Sequence, residues 1–480
     1  MAYRFSDHFR LGKSQAELDF IDIPLTTDIP LFVDPYALSL ADDIWYMECN
    51  DLIVDFFQLV VDSIRSGDTR TAGTLLLNLH EPNETHLGLS SGRPAGRGIG
   101  RHQANQIYSQ LSKSRAVASG QLRDLSDCEL LIEGISNDKI SDVTVNIIRG
   151  KLLEYTETQC TLLGIPTRKT QSGFVWNSDR RNWENRYVNL PTYQGERLIL
   201  VPKAATRFRL AVDHQEYHRN FVLEYLQAEN LEAATSLVKV LKNGKRVVTK
   251  TDLKEKYPCS KAFLAKFSEE HPDILEEYKK SLAAKPGPPN NEEIEGVQTD
   301  RRAIDVRKLI DELDSIPPGG DTAGRFHAFI MGALEVIFYP SLRYPKKEQE
   351  IHDGRKRIDI SFQNSASKGF FFDLKLRHDI PCPYVFAECK NYKDDPVNPE
   401  LDQLAGRFSP NRGKCGLLVC RSIQDRDMMT KRCRDAVNDD RGFILALDDT
   451  DIRLLLEARA SRDDEKINRH LHAYLRQLVM

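Results

Sequence analysis

Three side chains in the last third of the chain have the types and spacing of hydrolytic chemistry. Asp359 lies in Arg357-Ile-Asp-Ile360, and Glu388 and Lys390 lie in Val385-Phe-Ala-Glu-Cys-Lys-Asn-Tyr392. Both segments read as strands, adjacent in a sheet. One residue separates Glu388 from Lys390, so their side chains leave the same face, while Val385, Ala387 and Cys389 take the other parity. The motif sits in an apolar run, Tyr384 to Ala387, of the kind a buried strand shows. Charges there are expensive unless paired or bound to a metal. Asp359 and Glu388 suit a hard divalent cation such as Mg2+, with Mn2+ able to substitute; such ions take oxygen ligands and complete their shell with water and substrate phosphate. A lysine beside them would position or activate the attacking water, or neutralise charge growing on the phosphate. That is what phosphodiester hydrolysis requires. Taken alone, Glu-x-Lys on a half-exposed strand is more often a cross-strand ion pair. Asp373, in the strand-like run Phe370-Phe-Phe-Asp-Leu374, is a rival for Asp359, but it lacks the basic lead-in Arg355-Lys356-Arg357 and reads as part of an inserted hairpin.

The flanking segments supply the elements that must position these groups. Phe326 to Phe338 has the spacing of an amphipathic helix and carries Glu335; Leu401 to Arg407 reads as a helix carrying Gln403; Gly416-Leu-Leu-Val-Cys420 reads as the next core strand. In this order the region from about Asp300 to Met480 resembles the PD-(D/E)xK, or restriction-endonuclease-like, nuclease superfamily, in particular its Mrr-like branch. The resemblance implies an αβ sandwich with a central mixed sheet. It implies metal ligation by Asp359 and Glu388, water positioning by Lys390, indirect help to the metal from Glu335, and orientation of the lysine or the phosphate by Gln403. It further implies a Mg2+-dependent DNA endonuclease, with DNA preferred over RNA, of the sort found in bacterial restriction or anti-phage defence. There an added domain senses the invader or restrains catalysis, and a partner protein or activator takes part. Cutting both strands at once needs two active sites, so a homo-oligomer is expected. The alternatives are a catalytically silent nucleic-acid-binding or assembly module with the same fold, and an RNA-cleaving, toxin-like effector.

Composition sets limits on these readings. At 480 residues two or three domains are expected. No apolar window is long enough to span a bilayer, and the opening Met-Ala-Tyr-Arg-Phe-Ser-Asp-His lacks the apolar core of a signal peptide. The nine cysteines are scattered without Cys-x-x-Cys pairs, which reads as reduced thiols in a cytoplasmic protein and does not imply zinc. A net charge of -4 argues against a chain that coats nucleic acid. Contact with a phosphate backbone must therefore come from local clusters: Arg343 to Lys347, Arg355-Lys356-Arg357, Arg407 with Arg412 and Lys414, and Lys431-Arg432-Cys-Arg434. For the last, an ordinary solvated helix face competes with substrate contact.

Linker composition divides the chain. Ala283-Ala-Lys-Pro-Gly-Pro-Pro-Asn-Asn has no apolar period and marks a flexible linker over 283–300. The sequence thus predicts an α/β chain with an N-terminal mixed α/β domain (1–210) for sensing, regulation or oligomerisation. A helical connector (211–282), the linker and a nuclease domain (301–480) follow. In the first domain, Ile21 to Leu25, Pro30 to Asp34, Leu130 to Ile135 and Glu196 to Pro202 read as strands, Ile44 to Arg65 as a helix, and Ser141 or Asp142 as a helix cap. In the connector, Ala233 to Leu241 reads as helical. Two local features could bind ligands. Arg93, Arg97 and Arg101, set among glycines in Gly92 to Arg101, could cradle a phosphate, although a plain surface loop is the simpler reading and no Walker A ending is present. Glu133, Asp138 and Asp142 could hold a second metal, although caps and turns more often account for such residues.

Overall fold

A computed structural model describes residues 3–40, 44–88, 101–120, 122, 124–282, 287–297, 304–351 and 356–480, with the backbone alone at 101–104, 115, 119, 347–351 and 356–358. The chain is mixed α/β and falls into two compact units. One contains residues 290–480 together with 1–22 and 202–204; the other contains 23–201 and 205–289.

The first unit is built on a five-stranded mixed sheet. Its strands are β1 (Leu342–Ile351), β2 (Lys356–Asn364), β3 (Tyr384–Lys390), β4 (Cys415–Cys420) and β5 (Phe443–Leu447). The spatial order is β5-β4-β3-β2-β1, antiparallel from β1 to β3 and parallel from β3 to β5. Strands paired on both sides and covered on both faces must be apolar nearly throughout. Accordingly every residue of β4 is buried, and all of β3 except Tyr384. The helices are α1 (Ala323–Phe338), α2 (Phe370–His378), α3 (Asn398–Ala405), α4 (Arg426–Asn438), α5 (Asp449–Ala460) and α6 (Asp464–Val479). Helix α3 connects β3 to β4, and α4 connects β4 to β5. Both crossovers step the same way along the sheet, and right-handed connections therefore place α3 and α4 on one face. Helices α1 and α5 pack together against the other.

Several local readings give way to tertiary context. Phe370 to Leu374 is not a strand but the first half of α2. Gly369, at φ +77°, turns the chain there, and Asn468 Oδ1 accepts the Phe370 N–H at 2.8 Å. Residues 1–22, expected in an N-terminal domain, belong to the first unit because Phe5 and Phe20 are fully buried and Gln15–Glu17 packs on α1.

Among the described residues the second unit is mainly helical, with four two-stranded pairings, of which the hairpin Arg168–Asn177 with Asn182–Leu190 is the longest. Ile44–Arg65 forms the helix its spacing predicts. The strand expected over Leu130 to Ile135 is instead the helix Asp127–Leu131, and the next helix, Asn137–Ile147, starts after Ser136 rather than at Ser141 or Asp142. Ser141 Oγ instead accepts the Val33 N–H at 2.9 Å. The strands expected at Pro30 to Asp34 and Glu196 to Pro202 shrink to Phe32–Val33 and Glu196–Arg197, and Ile21 to Leu25 forms no strand. The helix expected over Ala233 to Leu241 does not form: the preceding helix ends at Glu232, and Lys239–Val240 pairs as a short strand with Arg246–Val247. The expected connector is no free arm. Tyr217 and Tyr278 are fully buried with rings 5.0 Å apart, and Lys261 Nζ lies 3.2 Å from Glu129 Oε2, so 211–282 is part of this unit's own core. Among the described residues no helix is long and apolar enough to cross a membrane.

Candidate active site

Strands β2 and β3 pair with Ile360 opposite Ala387; continuing that antiparallel register one step sets Asp359 opposite Glu388. Directly opposed residues share a face, and Asp359 lies close enough for its charge to raise the Glu388 carboxyl. Glu388 is fully buried and flanked by cations. Its Oε1 accepts a hydrogen bond from Lys390 Nζ at 2.9 Å, and its Oε2 lies 2.9 Å from Arg407 Nη1 in an ion pair not aligned as a hydrogen bond. Lys390 Nζ also donates to Gln403 Oε1 at 3.2 Å. Asp359, whose side chain is 20% exposed, accepts the Cys389 N–H through Oδ2 at 3.0 Å. Helix α3 thus delivers Gln403, and the chain just past its end delivers Arg407. Proline at the second position and Glu400 Oε2, which accepts the Val397 N–H at 3.0 Å, fix where α3 starts.

The electrostatics follow from burial. Desolvation, reinforced by the Asp359 charge, pushes the Glu388 carboxyl above its ordinary range against the pull of Lys390 and Arg407. Burial works against the Lys390 ammonium, but the neighbouring Glu388 carboxylate outweighs it and holds the lysine above its ordinary value.

Asp359, Glu388, Lys390 and Gln403 therefore come together, and the remaining expectations divide. Arg407 joins them, but as a buried partner of Glu388 rather than an exposed phosphate contact; it is 4% exposed. Lys414 lies at the opposite end of β4 from the residue paired with Lys390, and its ammonium meets Asp440 Oδ1 at 2.7 Å. Glu335 is not at the site. It is 1% exposed and lies 2.9 Å from Lys203 Nζ, itself fully buried over the Tyr339 ring and bonded to Asn291 Oδ1. Arg355, Arg93 and Arg97 lie outside the described residues, as do the side chains of Lys356, Arg357 and Arg101. Asp373 sits on α2 and pairs with Arg377 and His472. Of the acidic set in the second unit, Glu133 Oε1 accepts the Lys261 N–H at 2.9 Å. Asp142 is separate from it, pushed up to about 8 by burial and by Asp138, Glu81 and Asp28.

The residue of α1 that does reach the site is His327. Its Nε2 lies 3.2 Å from the Cys389 carbonyl oxygen and 3.8 Å from Asp359 Oδ2. It stands eight residues before Glu335, about 12 Å along a helix axis. Because α1 is apolar on nearly every side, hydrophobic spacing did not single out the face that meets β3; the polar residue His327 within the apolar run was the available signal. Asn391, just past β3, also escaped the sequence reading. Its Nδ2 donates to Pro317 O, Gly319 O and Thr322 Oγ1 at 3.1, 2.8 and 2.9 Å, and its Oδ1 accepts from Arg421 at 3.1 Å. These bonds fasten the segment leading into α1 to the end of the candidate strand.

Among the described residues no group of three or more His, Cys, Asp or Glu side chains is disposed to hold a metal. Mg2+ needs fewer, since one or two carboxylates suffice with water and phosphate making up the rest. Asp359 and Glu388 fit that demand. Their charges repel across one strand pair, and Glu388 Oε2 is a buried oxygen without a hydrogen bond.

Comparison with known families gives one match, to a family model described as a domain of unknown function (DUF8370), over residues 10–213. No curated protein and no solved structure matches the chain.

Proposed function

We propose that the unit built from residues 290–480 is a Mg2+-dependent nuclease of the PD-(D/E)xK type, with a restriction-endonuclease-like sandwich. We take it to be a DNA endonuclease of bacterial restriction or anti-phage defence, acting in the cytoplasm as a homo-oligomer under the control of the N-terminal half. The observation that carries this reading is Lys390 hydrogen-bonded between Glu388 and Gln403, with Asp359 near enough on the neighbouring strand for its charge to act on Glu388. A mixed sheet with helices on both faces also supports it.

Held by Asp359 and Glu388, Mg2+ would supply Lewis-acid charge at the scissile phosphate and a more acidic water. The chain's own groups do the placing. Two acceptors hold the Lys390 ammonium at one point, where positive charge can meet a phosphate without reorganisation. Arg407 fixes the second oxygen of Glu388, and His327 ties the backbone of β3 at Cys389 to α1. Burial of β3 leaves Asp359 as the more open carboxylate, so substrate and water approach from its side.

The test is incubation of the purified full chain with supercoiled plasmid, linear DNA, single-stranded DNA and RNA, with Mg2+ or Mn2+ and with EDTA. Metal-dependent nicking that EDTA stops is expected, and Lys390→Ala and Asp359→Ala should abolish it while leaving the circular dichroism unchanged. A fully active Asp359→Ala variant would sink the proposal. One observation favours a binding-only module instead: both Glu388 oxygens already face cations, which would satisfy a silent fold. Binding of nucleic acid with no metal-dependent nicking is the outcome that selects it.

A further inference from the structure

The basic cluster Lys431-Arg432-Cys433-Arg434 does not act as one patch. Helix α4 turns Cys433 into the core and sends Arg434 to the Gln477 carbonyl at 2.6 Å, leaving Lys431 and Arg432 on another side. There they line an open groove of about 450 Å³ between the start of α3 and the first turns of α4, with Val397, Asn398, Pro399, Met428 and Asp435.

The groove continues from the candidate site. Pro399 precedes Gln403 by four residues, so both lie on the same face of α3, one turn apart. Residues 391–397 run directly from the end of β3 to the groove's lip and are pinned along the way. Asp395 accepts the Gln424 and Asp425 N–H groups at 2.7 and 2.9 Å, and Arg432 Nη1 donates to the Pro396 carbonyl at 2.8 Å. Arg426 anchors the first turn of α4 to Asp448 and Asp451 at 2.7 and 3.1 Å. Its walls are therefore preorganised.

Along this track exposed apolar side chains alternate with cations. Tyr392 is 47% exposed, Val397 46% and Met428 42%, and Lys393 and Lys431 are exposed without an ion pair among the described residues. The carboxylate of Asp435 lines the groove and exposed Asp394 follows Lys393 in the chain, so the excess of positive charge is small. Phosphate attraction alone would be weak, and the apolar faces must contribute. Bases offer such faces only when unpaired, because a duplex buries them in its stack.

We propose that this groove binds a single-stranded stretch flanking the scissile phosphate, with phosphates against Lys393, Lys431 and Arg432 and unstacked bases against Tyr392, Val397 and Met428. The natural substrate is then a nucleic acid carrying an unpaired flank, an inference that rests on the nuclease reading of the neighbouring site.

Anisotropy of fluorescein-labelled DNA in EDTA tests it on the full chain, with a blunt duplex and the same duplex bearing a poly-dT flank at its 3′ or 5′ end. One flanked duplex should bind roughly tenfold more tightly than the blunt one. Lys431→Gln should lower the slope of log affinity against log salt by about one on that substrate, and Tyr392→Ala with Met428→Ala should remove most of the flank's advantage. Both variants should bind the blunt duplex as the wild type does. Equal affinity for blunt and flanked duplexes overturns the inference, as does a flank advantage that survives all three substitutions. If the wild type nicks plasmid yet ignores flanks, only the groove assignment falls; if it neither nicks nor binds, the nuclease reading falls with it.

Discussion

Replacing Glu335 by glutamine should flatten the pH dependence of this unit's stability and leave cleavage intact. Burial raises the Glu335 carboxyl from 4.5 to about 7, despite the ammonium of Lys203 at 2.9 Å. That interval corresponds to about 3 kcal/mol. The sign follows from proton counting. Between pH 4.5 and about 7 the unfolded chain gives up a proton that the folded chain keeps, so stability is fully present below 4.5, falls as pH rises, and reaches its lower level above about 7. Glutamine titrates in neither state and removes that slope. Glu295, raised to about 7 by burial and Glu292, retains its own dependence in both proteins, so the quantity to compare is the difference between them. Urea unfolding at pH 5 and pH 7.5 should be followed by far-ultraviolet circular dichroism, because all three tryptophans, Trp45, Trp176 and Trp183, lie in the other unit. The wild type should lose about 2 kcal/mol more than Glu335→Gln across that range, because part of the full effect falls below pH 5. Parallel losses would refute a buried neutral carboxyl. Abolished plasmid nicking with unchanged stability would return Glu335 to the catalytic site and refute the geometric assignment.

Three further outcomes are expected. His327→Ala should leave the fold intact and weaken the apparent Mg2+ affinity or the cleavage rate roughly 10- to 100-fold, read from a Mg2+ titration of plasmid nicking; wild-type behaviour would remove His327 from the site. Asn391→Ala deletes a buried side chain that makes four hydrogen bonds and should cost about 3 kcal/mol in urea unfolding; a loss below about 1 kcal/mol would mean that the bonds are replaced. A thiol reagent at neutral pH should label one cysteine quickly in the native chain, Cys259, since the other eight are buried; Cys259→Ser should abolish the fast phase, and a second fast thiol would contradict the packing.

How far the sequence could be read depended on whether a signal was local. The facing carboxylates and the lysine were legible because strand parity is set by adjacent residues, as was the helix Ile44–Arg65 from its apolar spacing. The partner of Glu335 was not, because Lys203 lies 132 residues earlier and only the folded chain brings it to α1. Phe370 to Leu374 has the aromatic composition of a strand, yet Gly369 and the distant Asn468 start a helix there. Cation clusters misled for a related reason. Charge in a row says nothing of where each side chain goes, so Arg407 ended up buried against Glu388 and Arg434 against a carbonyl, while Lys431 stayed free of ion pairs among the described residues.

The first unit is discontinuous, drawing on residues 1–22, 202–204 and 290–480. On the ribosome this imposes an order. Phe5 and Phe20 emerge before any strand of the sheet they will serve has been translated, and Lys203 emerges before Glu335. The other unit, residues 23–201 and 205–289, is translated before any strand of that sheet and can begin to fold first, with the leading segment held in waiting. Closing contacts over such separations is slow. On the proposed function, a fold able to cleave would then arise only after nearly the whole chain has left the exit tunnel, and a half-made chain would stay silent beside the cell's own nucleic acid.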